Sequence, residues 1–151
     1  MFDSQPQDFV RSLVAGASPN KAVRFTVYGE PKSKQRARVT RYGAYTPKET
    51  IVAEDRIRQV WRSLEVEQFT YSVLVSIDFF NANKRRRDLD NMAKLVLDAL
   101  NKEAYVDDYQ IVALELRKFF CAPERARTEI MLTEVIEWPN EHQILQPVSK
   151  S

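Results

Sequence analysis

Four aspartates and one lysine in the second half of this 151-residue chain have the clearest capacity for chemistry. Asp88 and Asp90 are two positions apart, just before a predicted helix, and in an extended or junction segment that spacing can aim both carboxylates the same way. Lys94 lies four residues past Asp90, on the same predicted helix face. We expect its side chain to lean back toward the carboxylates, because helical side chains tilt toward the N-terminus. Whether Asp107 and Asp108, at the start of the next strand, reach this group depends on the tertiary fold.

These side chains suit metal-assisted cleavage of a phosphodiester. Mg²⁺ takes oxygen ligands from one or two carboxylates together with phosphate and water. Such an ion activates water and neutralises the leaving oxygen, and a lysine near the same phosphate adds electrostatic stabilisation. Each residue also has a simpler interpretation when it is taken alone. Asp90 can cap the helix, Asp107 and Asp108 can form a turn, and Lys94 can pair with Asp90 or Asp98 across one helical turn.

The rest of the composition excludes several other kinds of site. Cys121 is the only cysteine, so it forms neither an intrachain disulfide nor a cysteine-rich zinc site, and we expect a buried residue at a strand end. His142 is the only histidine, and its polar, proline-flanked surroundings give no sign of the nucleophile that a histidine-dependent mechanism needs. Catalysis must therefore rest on carboxylates, lysine, tyrosine or a metal held by oxygen ligands.

Cationic residues are concentrated in two short segments, although the net charge is only +2. Local basic clusters in a nearly neutral chain favour contact with a polyanion at defined places; a solvated charged face is the simpler alternative. The predicted DNA-binding residues are Lys32, Lys34, Arg36, Arg38 and Arg41 in the first segment and Lys84, Arg85, Arg86 and Arg87 in the second. The second segment directly precedes Asp88, so the predicted anion contacts adjoin the predicted chemistry.

Hydrophobic periodicity and turn signals predict the elements that position these residues. The first helix is predicted to have Thr46 as its cap and Pro47 at its first position, and the second covers residues 91–103. The predicted strands cover residues 23–28, 71–80, 111–119 and 128–135. The order β-α-β-α-β-β predicts an α+β fold, a small mixed sheet with two main helices packed on it.

The length and composition predict one globular domain with flanking segments. Residues 1–20 are predicted to be an N-terminal appendage, residues 21–136 the folded domain and residues 137–151 a C-terminal tail. No run of 18 apolar residues is present, so no membrane partner is expected. The first residues lack the basic and then apolar pattern of a secretory signal, and we therefore expect a cytoplasmic protein.

The stretch from Lys84 to Ile111 resembles the signature of the RusA family of Holliday-junction resolvases. Its motif reads RRDLDNMAK from Arg86 to Lys94, followed by DALN at residues 98–101 and VDDYQI at residues 106–111. The resemblance implies that the folded domain is a RusA-like nuclease domain. It further implies a homodimeric, Mg²⁺-dependent endonuclease that resolves four-way DNA junctions, with Mn²⁺ able to replace Mg²⁺. Family members are often carried by phages or prophages, which implies the cytoplasm of a bacterial or phage-infected cell.

The resemblance also implies a role for each matching residue. Asp88, Asp90 and Asp108 fall on the essential acidic positions of the family, which implies that they bind the metal. Lys94 falls on the catalytic lysine, and Asp107 on a neighbouring acid that is a further candidate metal ligand. The segment 29–47 resembles the basic loop of many members. The chain departs from the family pattern by the residues before its first strand and by its tail.

Two other functions remain open on the sequence. A non-catalytic module of the same fold that binds junctions or single-stranded DNA comes from a different class, and Tyr42 and Tyr45 in the basic loop could stack on bases in such a module. A nuclease with a broader branched-DNA substrate, such as flaps or replication forks, is the second alternative. Cleavage of a labelled four-way junction in Mg²⁺ but not in EDTA separates the first alternative from the nuclease.

Overall fold

The computed structural model describes residues 19–138. Most of the predicted appendage and tail, including His142, lies outside the described residues. The elements are β1 (Lys21–Tyr28), β2 (Arg38–Thr40), β3 (Gly43–Tyr45), α1 (Lys48–Ser63), β4 (Ser72–Asn81), α2 (Leu89–Leu100), β5 (Ile111–Phe120) and β6 (Arg127–Val135). Short 3₁₀ turns at Asp108–Gln110 and Pro123–Arg125 precede β5 and β6. No helix in this range is long and apolar enough to cross a membrane.

Four strands form one mixed sheet in the order β1-β6-β4-β5. β4 pairs parallel with β5 and antiparallel with β6, and β6 pairs antiparallel with β1. β4 is buried along nearly its whole length because it has a neighbour on both sides. The predicted α+β class, with two main helices on a small mixed sheet, is confirmed.

Both helices pack on one face of this sheet. Val73 and Ile77 lie on one face of β4 and belong to the same core cluster as the apolar face of α2. The buried side chains of α2 are Met92, Ala93, Leu95, Val96, Ala99 and Leu100. α1 contributes Trp61, whose ring centroid lies 5.6 Å from that of Phe25 and 6.0 Å from that of Phe69. The apolar residues that recur at helical spacing along α2 are therefore buried, and they fix how α2 lies across the sheet.

The element boundaries differ from the prediction where local signals compete. Pro47, not Thr46, takes the cap position of α1, and no side chain bonds to the cap. α2 begins at Leu89, two residues earlier than expected, and ends at Leu100. Cys121 is only half-buried, just after β5, so the expectation of a buried cysteine is wrong.

The predicted basic loop contains a small hairpin that the sequence analysis missed. β2 and β3 pair antiparallel from Arg38–Tyr45 to Thr40–Gly43. Gly43 has a φ of +122°, a conformation that glycine adopts without the steric cost of a side chain. All six strand residues are exposed, so hydrophobic periodicity gave no signal for them.

Candidate active site

Asp88 and Asp90 lie at the N-terminus of α2 with exposed side chains. Asp88 occupies the cap position, where its backbone carbonyl accepts from the Met92 N–H at 3.1 Å while its carboxylate makes no capping bond. Asp90 is inside the first turn, and its Oδ1 accepts from the Asn91 N–H at 2.9 Å. The interpretation of Asp90 as the helix cap is therefore wrong. Both carboxylates remain accessible at the helix end that carries partial positive charge.

Lys94 leans the opposite way from the expectation. Its Nζ lies 3.9 Å from Oδ2 of Asp98, one turn further along α2, and its side chain is exposed. The prediction that the Lys94 side chain leans toward Asp88 and Asp90 is therefore wrong. Asp98 attracts the Lys94 ammonium instead, because it offers an opposite charge at i+4 spacing. Asp98 itself also contacts the Nζ of Lys34, at 3.1 Å. Asp98 was not predicted as a site residue, although it lies within the matching motif.

Asp107 and Asp108 lie in a 3₁₀ turn that a capping box holds in place. The Asp107 carboxylate accepts from the Asp108 N–H at 2.9 Å, and the Gln110 side chain accepts from the Asp107 N–H at 2.9 Å. Gln110 is buried, and its Nε2 donates to the backbone carbonyls of Phe69 and Tyr71, at 2.9 Å each. Gln110 therefore positions this turn, a role that the sequence analysis missed although the D-x-x-Q spacing signals a capping box.

The Asp108 carboxylate lies in acidic surroundings. Burial raises its pKa, and the negative charges of Asp98 and Asp107 raise it further, while Lys94 and Lys102 act in the opposite direction. A raised pKa means that the folded protein disfavours the ionised form of this group. A cation bound beside Asp108 would relieve this repulsion.

The acids at the two ends of α2 do not converge within one chain. α2 has 12 residues and so spans roughly 18 Å. Because β4 and β5 are parallel, Ile111 lies level with Val73 at the start of β4, whereas Asp88 follows the far end of that strand. Within residues 19–138, no three histidine, cysteine, aspartate or glutamate side chains lie close enough to hold one metal ion. The oxygen ligands suit Mg²⁺ chemically, but one protomer does not assemble a complete set.

The two basic segments meet in one polar cavity of about 380 Å³. We call it the basic cleft; Lys32 lines it from the first segment and residues 85–87 from the second. Glu30 holds the second segment in place, since its carboxylate accepts from the N–H groups of Ala82 at 3.0 Å and Asn83 at 3.1 Å. The cleft therefore combines cations that lie about fifty positions apart in sequence.

Two of the predicted DNA-binding cations have protein partners instead. The Lys34 ammonium pairs with Glu54 and Asp98. Burial opposes the charge of Lys34, but hydrogen bonds to these two acids hold its pKa above the usual value. Arg87 lies 3.4 Å from Glu30 and is largely buried. The remaining predicted cations are exposed: Lys32, Arg36, Arg38, Arg41, Lys84, Arg85 and Arg86.

The β2–β3 hairpin presents cationic and aromatic groups together. At its turn, the Arg41 guanidinium donates to the Tyr42 hydroxyl at 2.6 Å and lies 4.8 Å from the centre of that ring. Tyr42 is 84% exposed and Val39 83% exposed, so the packed core does not account for either side chain. Surfaces that pair arginine with exposed aromatic rings are typical of contacts with nucleic-acid strands.

The fold and site define a small α+β protein with acids at both ends of one helix and a cation-lined face beside them. Residues 28–133 match the family model described as endodeoxyribonuclease RusA, and the chain belongs to this family. A stretch of 48 residues is 48% identical to the uncharacterized protein YqaN of Bacillus subtilis (strain 168). That match covers 32% of this chain and 32% of the relative.

Proposed function

We propose that this protein is an endodeoxyribonuclease that resolves four-way DNA junctions by phosphodiester hydrolysis. The observation that carries the proposal is the basic cleft, whose lining residues 85–87 immediately precede Asp88 in the chain of a member of the endodeoxyribonuclease RusA family. Cations in the cleft hold the DNA backbone, and the positive end of α2 favours a phosphate close to the carboxylates. The sequence prediction of a cytoplasmic location is compatible with this activity.

A divalent cation, Mg²⁺ or Mn²⁺, is part of the proposal. It would supply activation of a water molecule and neutralisation of the leaving oxygen. Asp88, Asp90 and Asp108 are the residues that would hold it, and Asp107 is a further candidate although its carboxylate already caps a 3₁₀ turn. Lys94 is exposed and its ammonium can turn from Asp98 toward a bound phosphate.

We further propose that the working form is a homodimer. A four-way junction has two-fold symmetry, and a symmetric dimer supplies two matched sites for the two cuts. The separation of Asp108 from Asp88 and Asp90 along α2 supports this arrangement, because a second copy can bring its own acids to a set that one chain leaves incomplete.

The experiment is a substrate panel with the whole protein. A labelled four-way junction, a replication fork, a flap and a linear duplex are each incubated with Mg²⁺, with Mn²⁺ or with EDTA. We expect paired cuts in the four-way junction with either metal and none in EDTA. Faster cutting of forks or flaps would identify that DNA, and not the four-way junction, as the preferred substrate. Intact DNA in every lane would contradict the nuclease activity.

A module that binds branched or single-stranded DNA without cutting it is the second candidate. The exposed Arg41–Tyr42 pair at the hairpin tip favours it, since that pair suits stacking on unpaired bases. The same panel separates the candidates, because a binding module retards the junction on a gel in both Mg²⁺ and EDTA and cuts it in neither.

A further inference from the structure

The basic cleft lies where the N-terminus of α1 faces the loop before α2. Ser33 and Gln35 line it from the segment after β1, and Glu49 and Thr50 from the first turn of α1. α1 has 16 residues and no side chain caps its N-terminus. The first backbone N–H groups of such a helix point outward without partners inside the helix, and they favour an anion.

The charges around the cleft are mostly positive. Lys32, Arg85 and Arg86 have no ion pair among residues 19–138, whereas Arg87 lies beside Glu30. Among the residues that the structure describes, Glu49 is the one acid that lines the cleft, and its Oε2 accepts from the Gln35 side chain at 3.1 Å. Three unpaired cations against one carboxylate leave an excess of positive charge that an anion can neutralise.

Thr50 is the second observation that points to a ligand. It is 2% exposed, it lines the cleft, and its Oγ1 has no hydrogen-bond partner in the described part of the chain. A buried hydroxyl without a partner costs free energy, so natural proteins rarely leave one unless it serves a ligand or an ordered water. The Thr50 N–H already has a partner, since it donates to the Pro47 carbonyl. Of the two hydrogen-bond donors of Thr50, only the hydroxyl therefore has no partner.

We propose that the basic cleft binds one phosphate group of a DNA strand, with the Thr50 hydroxyl, the start of α1 and the cations of residues 85–87 as its donors. This inference rests on the proposed action on DNA, and it assigns a contact away from the acids of the active site. The phosphate is either an internal phosphodiester or a terminal phosphomonoester, since both present the same anionic oxygens. Bound there, it fixes the strand as it enters the face that carries Asp88 and Asp90.

Thr50→Val tests the proposal, and Thr133→Val is its matched control. Thr133 is also fully buried with an unpartnered Oγ1, but it lies in β6 and outside the cleft. Each change removes one orphan hydroxyl at nearly constant shape, so neither should lower the thermal midpoint. Thr50→Ser keeps the hydroxyl and should behave like the wild type.

The first measurement uses inorganic phosphate and does not depend on nuclease activity. Phosphate, compared with chloride at equal ionic strength and pH, should raise the thermal midpoint of the wild type, Thr50→Ser and Thr133→Val by mass action. Thr50→Val should lose most of this shift. A wild type that phosphate stabilises no more than chloride, or a Thr50→Val variant with the full shift, would overturn the proposal.

The second measurement is junction affinity in EDTA with and without a 5′-phosphate on the strands. Thr50→Val should bind roughly tenfold more weakly, the effect of losing one hydrogen bond to a charged group, while Thr133→Val binds normally. A loss on both substrates identifies an internal phosphodiester, and a loss only on the phosphorylated one identifies a terminal phosphate. Equal affinities for Thr50→Val and wild type overturn the site. A wild type that binds no junction yet shows the phosphate shift contradicts the proposed function instead.

Discussion

At the residue scale, the two aspartates at the start of α2 differ in what they do for the helix. Asp88 holds the cap position through its backbone, whereas Asp90 accepts one hydrogen bond from the neighbouring Asn91 N–H. Neither carboxylate is buried or paired with a cation in residues 19–138. The stability of the fold therefore does not depend on the charge of these two carboxylates. A substitution that removes the charge can test a catalytic role without disturbing the structure.

Asp90→Asn should strongly slow cleavage without unfolding the protein. Asparagine keeps the shape and can still accept from the Asn91 N–H, so the thermal midpoint should stay close to wild type. Loss of a negative oxygen ligand should slow single-turnover cleavage in Mg²⁺ by on the order of a hundredfold or more. Junction affinity in EDTA should hold or tighten, because a charge that repels phosphate is gone.

Asp55→Asn is the matched control for this prediction. Asp55 is an exposed acid on α1 whose Oδ1 lies 2.5 Å from Arg58, and it lies outside the motif in sequence. It should cut at the wild-type rate. A folded Asp90→Asn protein that also cuts at the wild-type rate would remove Asp90 from the active site.

Lys34 should act mainly as a tie between the basic segment and the two helices. Its backbone N–H donates to the Asn91 carbonyl at 2.9 Å, and its ammonium pairs with Glu54 and Asp98. Lys34→Met should lower the free energy of unfolding by about 1–3 kcal/mol, because it leaves Glu54 with only Arg58 as a partner. Urea denaturation measures this loss.

Lys32→Met is the comparison, since Lys32 is exposed and has no ion pair among the described residues. It should leave the urea midpoint nearly unchanged. If both variants unfold at the same urea concentration, Lys34 is not a structural tie. The sequence-based prediction that Lys34 binds DNA would then be the better one.

At the element scale, the β2–β3 hairpin and the irregular segment before it present cations that the core does not need. Arg36→Ala combined with Arg38→Ala should therefore leave the thermal midpoint unchanged. Junction binding should weaken for all DNA sequences. The slope of log affinity against log salt should fall by about 0.9 for each phosphate that the variant no longer neutralises.

Arg62→Ala serves as the control for the hairpin. Arg62 pairs with Glu103 at the C-terminal end of α1, roughly 21 Å from the helix start near the hairpin. Its removal should leave the salt slope as it is. If the hairpin variant has the wild-type slope and affinity, the hairpin is a solvated arm and does not contact DNA.

The stability of the sheet should depend on pH through Glu134, near the end of β6. Burial opposes ionisation of Glu134, but hydrogen bonds from Asn20, Thr70 and Tyr71, and the charge of Lys21, hold its pKa below the usual value. A lowered pKa gives stability that is present above the unfolded value, near 4.5, and that is lost as the pH falls through the folded value. These bonds attach the loop before β4 to β6.

Glu134→Gln should lower the free energy of unfolding at pH 7 by about 1–3 kcal/mol, because the hydrogen bonds from the Thr70 and Tyr71 N–H groups lose their charge assistance. Its stability should change less than that of wild type between pH 5 and the acid limit. Thermal unfolding at pH 7 and across the acid range measures both effects. Glu67→Gln, at an exposed position, should follow the wild-type profile; a Glu134→Gln profile that also follows it would contradict the argument.

At the scale of the whole molecule, Asp108 lies at the opposite end of α2 from Asp88 and Asp90. This separation allows a test of the proposed homodimer. Light scattering should give twice the 17.6 kDa mass of one chain. Asp90→Asn and Asp108→Asn homodimers should each be inactive. If each active site draws acids from both protomers, a mixed dimer of the two variants contains one intact set, and it should recover a single-strand nick in the junction.

The control for the mixed dimer is a mixture of Asp90→Asn with Asp88→Asn. Both changes fall at the same end of α2, so neither composite site is intact and no activity should return. A cleaving species of 17.6 kDa would contradict the dimer. Recovery in neither mixture, with dimers present, would place each acid set within one protomer.

The sequence by itself determined the elements and the chemical groups of this protein. The order and class of the main elements followed from local periodicity, because a buried helix face or strand face repeats every 3.6 or 2 residues. The motif from Arg86 to Lys94 placed two acids at a helix start, and local spacing is enough to fix that arrangement. The β2–β3 hairpin escaped detection because all of its residues are exposed and no apolar alternation marks it.

Only the tertiary structure decided which of these groups meet. The parallel pairing of β5 with β4 sends Asp108 to the opposite end of α2 from Asp88, and that pairing depends on contacts between residues about forty positions apart. The packing of α1 against α2 ties Lys34 to Glu54 and Asp98, while it brings Lys32 to the loop that carries residues 85–87. The local spacing of residues carries no information on such long-range contacts, because these depend on how the buried faces of distant elements pack together.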